Sequence, residues 1–283
     1  MILPTPKVVA EVSCTHLGQM DRAKKLINLA KICNAPYVKF QKRNPDESTP
    51  EHLKKMPHPN KMFAYGDTYL AHRKALELSI DQHKELQEYC KSIEIEYATS
   101  VWDITSAKEI IKLDPKFIKV PSACNANYDL IKLILNEFGG DLHISSGMST
   151  PKEVDALLDF LEPWSYRVVF YHCTSEYPCD FENLFLLEIE RLRHDMPERM
   201  RLGFSNHGRG IATDIAAYVL GAEWIERHFI DDRLVRHTDS AASLEPGGLS
   251  KLVRDLNAIY TSAKYKSSMT NGEAEQRKKL RVN

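Results

Sequence analysis

Eight short runs rich in β-branched and aromatic residues recur along the 283-residue chain, and stretches with apolar residues at helical spacing lie between them. The runs are VVAEVS (8–13), YVKFQ (37–41), EYATSV (96–101), FIKVPS (117–122), LHISSG (142–147), RVVFYHC (167–173), RLGFSN (201–206) and WIERHF (224–229). Eight strand–helix units predict an α/β protein with a closed (β/α)8 barrel, the TIM barrel. A doubly wound open sheet is the alternative, but the first connection, SCTHLGQM, lacks the GxGxxG fingerprint of a dinucleotide-binding half.

The alternation also predicts the domain organisation. One barrel is expected over residues 1–265, followed by a polar tail at 266–283. The connection at 42–78 is too long and too rich in proline and charge for a simple crossover helix. Because long loops in compact domains are usually functional covers or disordered, a partly ordered flap over one mouth of the barrel is expected there.

Composition excludes several classes of protein. The formal net charge is −1 and no basic stripe is present, so a nucleic-acid partner is not expected. No signal peptide is recognised at the N-terminus, and no apolar run approaches the roughly 20 residues that span a bilayer. Six cysteines without a CxxC pair are typical of reduced thiols rather than of a structural zinc site. A cytoplasmic globular protein with no membrane partner is predicted.

The last strand, WIERHFIDD at 224–232, carries charge where a buried strand should be apolar. Side chains alternate between the two faces of a strand, so Glu226 and His228 share one face with Trp224, and Arg227 lies on the other. A carboxylate and an imidazole on one side of a buried strand indicate a functional site, because buried charges are rare unless they are paired or used.

The carboxyl ends of barrel strands converge on one mouth, where the active site is expected. Polar residues at these ends are Glu11, Lys39, Gln41, Thr99, Ser100, Lys119, Ser122, Ser145, Ser146, His172, Thr174, Ser175, Ser205, His207, Glu226 and His228. The lysines and hydroxyls suit a small ligand with phosphate and carboxylate groups. His207 and His228 end adjacent strands and could share a divalent metal with open positions, while Glu226 could orient a substrate or a metal-bound water. A structural ion pair for a lysine, and a hydrogen-bonded core imidazole for each histidine, remain the alternatives.

The chain resembles the sialic acid (N-acetylneuraminate) synthase family over about residues 7–265. The motifs that carry the resemblance are AEVSCTHLG (10–18), VKFQ (38–41), HRKALEL (72–78), KVPSACNANYDLIK (119–132), SSGMST (145–150), HCTSEYP (172–178), GFSNHGRG (203–210), GAEWIERHF (221–229) and DSAASLEP (239–246). Each motif is weak alone, and their order and spacing make the combination specific.

The resemblance implies a metal-dependent condensation of phosphoenolpyruvate with the open-chain aldehyde of a sugar, which yields a 2-keto-3-deoxy sugar acid and phosphate. The residues that it implies for phosphoenolpyruvate are Lys39, Thr99, Lys119, Ser122, Ser145, Ser175 and Ser205. Gln41, Tyr177 and Asp239 would meet the sugar, and Glu11 would handle water or protons. The catalytic set is then Glu11, Lys39, Lys119 and Glu226. His207 and His228 would bind Mn2+ or a similar ion, since two imidazoles with oxygen donors also suit Co2+, Zn2+ or Fe2+.

Four departures from the family pattern bear on the acceptor. The chain stops at EQRKKLRVN, where a typical member continues into an antifreeze-like domain that brings an arginine to the sugar. Cys124 stands where the family usually has a glutamate, and Asn206 and Thr15 replace an aspartate and an asparagine. An acceptor other than N-acetylmannosamine, either shorter or not acylated, is therefore expected, unless the flap or another subunit supplies the missing contacts.

Rival interpretations stay open from the sequence. The chain could be a catalytically silent barrel that binds a sugar acid or regulates a partner, although both lysines and both histidines are present. Lys39 could form a Schiff base, as in other barrel aldolases. A phosphorylated acceptor is a further variant, for which Arg43, Arg209, Arg233 and Arg236 are available. A homo-oligomer would have to form through barrel surfaces.

Overall fold

A computed structural model describes residues 3–282. Eight parallel strands pair in chain order and close into a barrel, with the first strand beside the last. They are β1 (Lys7–Ser13), β2 (Tyr37–Lys42), β3 (Glu96–Val101), β4 (Phe117–Val120), β5 (Asp141–Ser145), β6 (Val168–Cys173), β7 (Arg201–Asn206) and β8 (Trp224–His228). The predicted (β/α)8 barrel is confirmed, and the predicted strand bounds differ from the observed ones by at most two residues.

The helices lie outside the barrel, and all of them except two four-residue helices and the last helix have buried side chains. They are α1 (Met20–Ile32), α2 (Pro45–Ser48), α3 (Glu51–Lys54), α4 (Tyr69–Leu76), α5 (Ile80–Ser92), α6 (Ile104–Ile111), α7 (Tyr128–Glu137), α8 (Pro151–Leu161), α9 (Leu187–Asp195), α10 (Ala212–Leu220), α11 (Pro246–Ser262) and α12 (Asn271–Leu280). In α8 the buried residues are Val154, Leu157, Leu158 and Leu161, the spacing of one apolar stripe. None of the helices formed by residues 3–282 is long and apolar enough to cross a membrane.

The long segment at 42–78 contains α2, α3, a 3-10 turn at Lys61–Phe63 and α4. It contacts the loop that follows β8: the Tyr65 hydroxyl donates to the Arg236 carbonyl at 2.5 Å, and the Arg236 Nε donates to the Met62 carbonyl at 2.9 Å. The segment predicted as a polar tail contains α12, with Thr270 and Glu273 as a capping box.

The barrel interior is layered along its axis. An apolar layer of Val9, Ala98, Phe117, Val169, Tyr171 and Trp224 fills the amino-terminal end of the strands. The inward positions two residues further along β1, β3, β4 and β8 are polar: Glu11, Ser100, Lys119 and Glu226. The apolar layer closes one end of the barrel, so the charged layer opens toward the other mouth.

Arg227 lies on the outward face of β8, opposite to Glu226 and His228. Its guanidinium is buried between the barrel and α10, where it pairs with Asp214 at 2.6 Å and donates to the carbonyls of Gly208 and Gly210. Asn206 donates to the same Asp214 carboxylate at 2.7 Å and accepts from the Gly208 backbone N–H at 2.7 Å. This buried network fixes the chain on both sides of His207.

Candidate active site

The carboxyl ends of the strands surround one cavity of about 200 Å³. Its lining includes eleven of the polar strand-end residues predicted from the sequence together with Tyr177 and Asp239 from the loops. The lining residues among the predictions are Glu11, Lys39, Gln41, Ser100, Lys119, Ser122, Ser145, Tyr177, Ser205, His207, Glu226, His228 and Asp239. The structure therefore brings together residues that lie up to 228 positions apart in the chain, Glu11 and Asp239 being the extremes.

Two buried lysine–glutamate pairs form the floor of the cavity. Lys39 Nζ lies 2.5 Å from Glu11 Oε2, and Lys119 Nζ lies 2.6 Å from Glu226 Oε1. Lys39 Nζ is also 3.7 Å from Glu226 Oε1, so the four groups form one cluster. An ammonium group has three N–H donors, and the cluster leaves donors of both lysines for a ligand in the cavity.

Burial and pairing act in opposite directions on the two carboxyl groups. Burial is the largest effect on both. For Glu226 it is outweighed by Lys119 and Lys39, which hold the pKa at about 2. For Glu11 burial prevails over Lys39, with help from the neighbouring charge of Glu226, and raises the pKa above its ordinary value. Glu226 is therefore the firmly ionised member and Glu11 the member that exchanges a proton more readily.

Hydroxyl groups meet above Lys119, beside the loop that follows β5. A Cβ atom at Gly147 would lie 2.3 Å from Ser175 Oγ and 2.6 Å from Ser122 Oγ, so only glycine allows both hydroxyls to approach this backbone. Asn125 fixes the loop, because its Nδ2 group donates to the carbonyls of Ser145 and Gly147, both at 3.0 Å. Ser145 Oγ is buried without a partner among the described residues, as expected of a group that binds a ligand.

The structure corrects one predicted residue. Thr99 lies on the outward face of β3, where it pairs in register with Phe40 and Ile118, and it does not line the cavity. Ser100 lines it instead, in register with Gln41 and Lys119. The alternation of side chains along a strand is the signal that selects Ser100, once Lys119 is known to point inward.

Cys124, which stands where the family usually has a glutamate, lies outside the cavity. Its thiol donates to the Trp102 carbonyl at 3.4 Å and does not line the cavity. Burial raises the pKa of this thiol to about 11, so it stays neutral. Ser175, predicted to bind phosphoenolpyruvate, is not among the residues that line the cavity, and its hydroxyl lies 4.0 Å from Cys173 Sγ.

His207 and His228 face each other at the mouth, with ring centroids 5.3 Å apart. Two imidazoles that bind one ion at about 2.1 Å place their centroids roughly 5 Å apart, so the spacing fits a shared metal. His207 Nδ1 donates to the Thr174 carbonyl at 2.8 Å, which directs Nε2 away from that bond, and His228 Nδ1 has no hydrogen-bond partner among the described residues. Burial lowers the pKa of His228 to about 3, which keeps the imidazole neutral, the form that binds metals.

The protein itself supplies few further ligands. No group of three or more histidine, cysteine, aspartate or glutamate side chains within residues 3–282 is arranged to hold a metal. Asp239 Oδ2 lies 3.6 Å from His228 Nδ1, but it accepts a hydrogen bond from Ser13 at 2.7 Å. An ion held by the two imidazoles would therefore take its other ligands from water or substrate, which suits a catalytic rather than a structural site.

Several lining residues were not selected from the sequence. They are Ser13, Cys14, Arg73, Trp102, Pro121, Ala123, Met148, Cys173, His237 and Thr238. Arg43, considered only as one of four arginines for a phosphorylated sugar, also lines the cavity. Arg73 lies on α4 in the 42–78 segment, and no periodicity in that segment indicates which of its side chains points into the barrel.

Buried lysines, converging hydroxyls and two facing imidazoles at one mouth of a barrel suit the binding of a small anionic ligand. Over residues 26–268 the chain matches the NeuB family. It is 33% identical to N-acetylneuraminate-9-phosphate synthase of Homo sapiens over 252 residues, which cover 89% of this chain and 69% of the human protein. It is 31% identical to N,N'-diacetyllegionaminic acid synthase of Campylobacter jejuni over 255 residues, covering 89% of this chain and 75% of the relative.

A solved structure is similar in fold. N-acetylneuraminic acid synthetase from Leptospira borgpetersenii superposes with a TM-score of 0.81 at 23% identity, covering 99% of this chain and 94% of that one. The chain belongs to the NeuB family. The predicted enzyme class, a phosphoenolpyruvate-dependent, sialic acid synthase-like enzyme, is confirmed, and the alternative of a silent barrel is not supported.

Proposed function

We propose that the protein condenses phosphoenolpyruvate with the open-chain aldehyde of an aldose to give a nonulosonic or related 2-keto-3-deoxy sugar acid and phosphate. The observation that carries the proposal is the pair of buried lysines, Lys39 and Lys119, beside the hydroxyls of Ser122 and Ser175 at one end of the barrel. Buried cations next to converging hydroxyl donors suit a ligand with both phosphate and carboxylate groups.

Binding of phosphoenolpyruvate at the floor would place its anionic groups against the two ammonium groups. Ser100, Ser122, Ser145, Ser175 and Ser205 would donate to its oxygens. Because the lysines already pair with Glu11 and Glu226, they are held in position before the ligand arrives. Such preorganised charge stabilises the phosphate as it departs, without reorganisation during the reaction.

Carbon 3 of the enol phosphate attacks the aldehyde carbon of the sugar, and the aldehyde oxygen becomes an alkoxide. Water adds at carbon 2 and supplies the oxygen of the keto group. One proton of this water completes the hydroxyl formed from the aldehyde oxygen. The other leaves with inorganic phosphate when the bond between carbon 2 and the phosphate oxygen breaks to give the 2-keto acid. Glu11, the carboxyl group with the raised pKa, is placed to take the proton of that water.

His207 and His228 are proposed to hold a divalent metal, with Mn2+ favoured over Co2+, Zn2+ or Fe2+. When bound, such an ion supplies Lewis-acid polarisation of the aldehyde oxygen. Tyr177 lies over His207, with ring centroids 4.1 Å apart, and covers this end of the cavity. Gln41, Tyr177 and Asp239 remain the proposed contacts of the sugar.

The test is phosphate release from phosphoenolpyruvate in the presence of Mn2+ and a panel of aldoses and hexosamines, with and without chelator. Release that depends on one sugar and stops with chelator, together with one equivalent of a 2-keto acid three carbons longer than that sugar, is expected. Release that is independent of any sugar, or a product without the three added carbons, would contradict the proposal. A reaction that proceeds undiminished in chelator would exclude the metal alone.

A further inference from the structure

Arg227 and Asp214 form a buried ion pair on the outside of the barrel wall, with 2.6 Å between nitrogen and oxygen. Their side chains are 1% and 0% exposed, and neither residue lines the cavity. Replacement of such a pair by apolar residues of similar size is often neutral or stabilising. The pair is therefore weak evidence of added stability, and the contacts that it makes indicate another role.

The Arg227 guanidinium connects three segments near the mouth of the barrel. Nη1 donates to Asp214 on α10 at 2.6 Å and to the Gly210 carbonyl at 2.7 Å. Nη2 donates to the Gly208 carbonyl at 2.7 Å and to the Ala242 carbonyl, in the loop after β8, at 3.4 Å. Because these carbonyls belong to irregular loops rather than to a strand or helix, an apolar side chain at 227 would leave them without their guanidinium donors.

The two neighbours of His207 in the chain, Asn206 and Gly208, both belong to this network. Asn206 lies beside Arg227 in the register of β7 and β8, and its amide nitrogen donates to Asp214 at 2.7 Å. Its amide oxygen accepts from the Gly208 N–H at 2.7 Å, which closes a turn around His207. The backbone of His207 is therefore held from both sides by groups that lie outside the barrel wall.

The remaining contacts of His207 fix its ring. Its carbonyl accepts from the Cys179 N–H at 3.1 Å, and its Nδ1 donates to the Thr174 carbonyl at 2.8 Å. With the backbone and Nδ1 both held, the direction of Nε2 is set before a ligand arrives. Removal of a group that orients a metal-binding histidine commonly lowers the metal affinity by roughly 10- to 100-fold.

We propose that Arg227, Asp214 and Asn206 are positioning residues of the metal site, which act through the backbone of His207 and through the loop after β8. The inference rests on the proposed function, because it takes His207 and His228 to bind the metal. The family pattern has an aspartate at 206, and here the carboxylate comes from Asp214 on α10 instead. Exchange of the two side chains would therefore return one carboxylate to the same guanidinium.

The test is the dissociation constant of Mn2+, measured without either substrate from the electron paramagnetic resonance signal of the free ion. Asp214→Asn leaves Arg227 without its carboxylate and should weaken Mn2+ binding by roughly 10- to 100-fold. The exchange variant, Asn206→Asp/Asp214→Asn, should bind Mn2+ within about fivefold of the wild type, because the two substitutions compensate each other. With Co2+ as the probe, the visible absorption should change in Asp214→Asn and return in the exchange variant, since it reports the ligand geometry.

Two controls separate positioning from loss of folding. Phosphoenolpyruvate, titrated in the presence of chelator, should bind Asp214→Asn within about twofold of the wild type, because the network lies on the other side of the barrel wall. Leu86→Ala opens a cavity under α5, away from the network, and should lower the melting temperature while the Mn2+ affinity stays unchanged. Unchanged Mn2+ affinity in Asp214→Asn would overturn the proposal. So would an equal loss in Leu86→Ala, or an exchange variant that binds no more tightly than Asp214→Asn.

Failure of the proposed function is recognised separately. A wild type that binds no Mn2+ would contradict the proposed metal, but 15N NMR of the histidine-labelled, metal-free protein still reports on the His207 ring, whose signals are identified by their loss in His207→Gln. One tautomer with the proton on Nδ1 is expected in the wild type and the exchange variant, as the bond to the Thr174 carbonyl requires. A mixture of tautomers in Asp214→Asn would support the positioning role. Identical His207 signals in all three proteins would overturn it.

Discussion

Thr99 and Ser100 are neighbours on β3, yet they face opposite sides of the barrel wall. Both are small hydroxyl residues, and both were at the end of the same predicted strand. The choice between them depends on which strand positions point inward, and that is fixed by the register with Lys119 and Gln41 across two neighbouring strands. The local sequence pattern does not show the register between neighbouring strands. For this reason the resemblance pointed to Thr99 rather than to Ser100.

The two residues make a matched test of the phosphoenolpyruvate site. Ser100→Ala is expected to raise the KM for phosphoenolpyruvate by roughly tenfold, because it removes a donor to a charged ligand. Thr99→Val keeps the shape of an outward side chain and should leave the KM within about twofold of the wild type. Steady-state phosphate release measures both variants. A larger effect of Thr99→Val would mean that the inward face of β3 has been assigned incorrectly.

The strands and the helices between them could be predicted from the sequence, because apolar residues recur in each with the period of a strand or of a helix. The 42–78 segment was not, since α2 and α3 have only four residues each and depend on local signals rather than on a period. Asn44 caps α2 by accepting from Asp46 N–H, with Pro45 at the first helical position. Such signals locate a turn but do not say that α4 will direct Arg73 into the barrel.

The junction between α4 and β2 carries a stability prediction. Glu77 follows α4 and is buried against Arg43 and Lys42, and its pKa is raised to about 7, mainly by burial. The folded state therefore holds the proton more tightly than the unfolded state, whose value lies near 4.5. Glu77 favours folding most below pH 4.5, and this contribution falls as pH rises through about 7.

Glu77→Gln cannot ionise and keeps an oxygen for the Arg43 backbone N–H. Its free energy of unfolding, relative to the wild type, should rise by roughly 3 kcal/mol between pH 4.5 and pH 8. Urea denaturation at several pH values measures the difference. Glu88→Gln, at an exposed position on α5, is the control and should show no such rise. A flat difference for Glu77→Gln would show that its neighbours keep the carboxylate charged in the folded state.

Closure of the barrel brings the polar residues at the ends of the eight strands together in one site. The fold and most cavity-lining residues could be predicted, because a parallel barrel must place all carboxyl strand ends at one mouth. The pairing of each lysine with its own glutamate could not, since it depends on side-chain reach across the closed interior. Arg73 and Trp102 were missed for the same reason, because they reach the cavity from separate segments of the chain.

The proposed function requires phosphoenolpyruvate to bind at the buried lysine–glutamate cluster. Its most direct test is calorimetric titration of phosphoenolpyruvate into the wild type and the double variant Lys119→Met/Glu226→Gln, which removes both charges and leaves neither unpaired. Lys7→Met/Glu223→Gln, which removes a pair at the opposite end of the barrel, is the matched control. Saturable one-to-one binding to the wild type and the control is expected, with at least about tenfold weaker binding to Lys119→Met/Glu226→Gln. Equal affinity for all three proteins would contradict it.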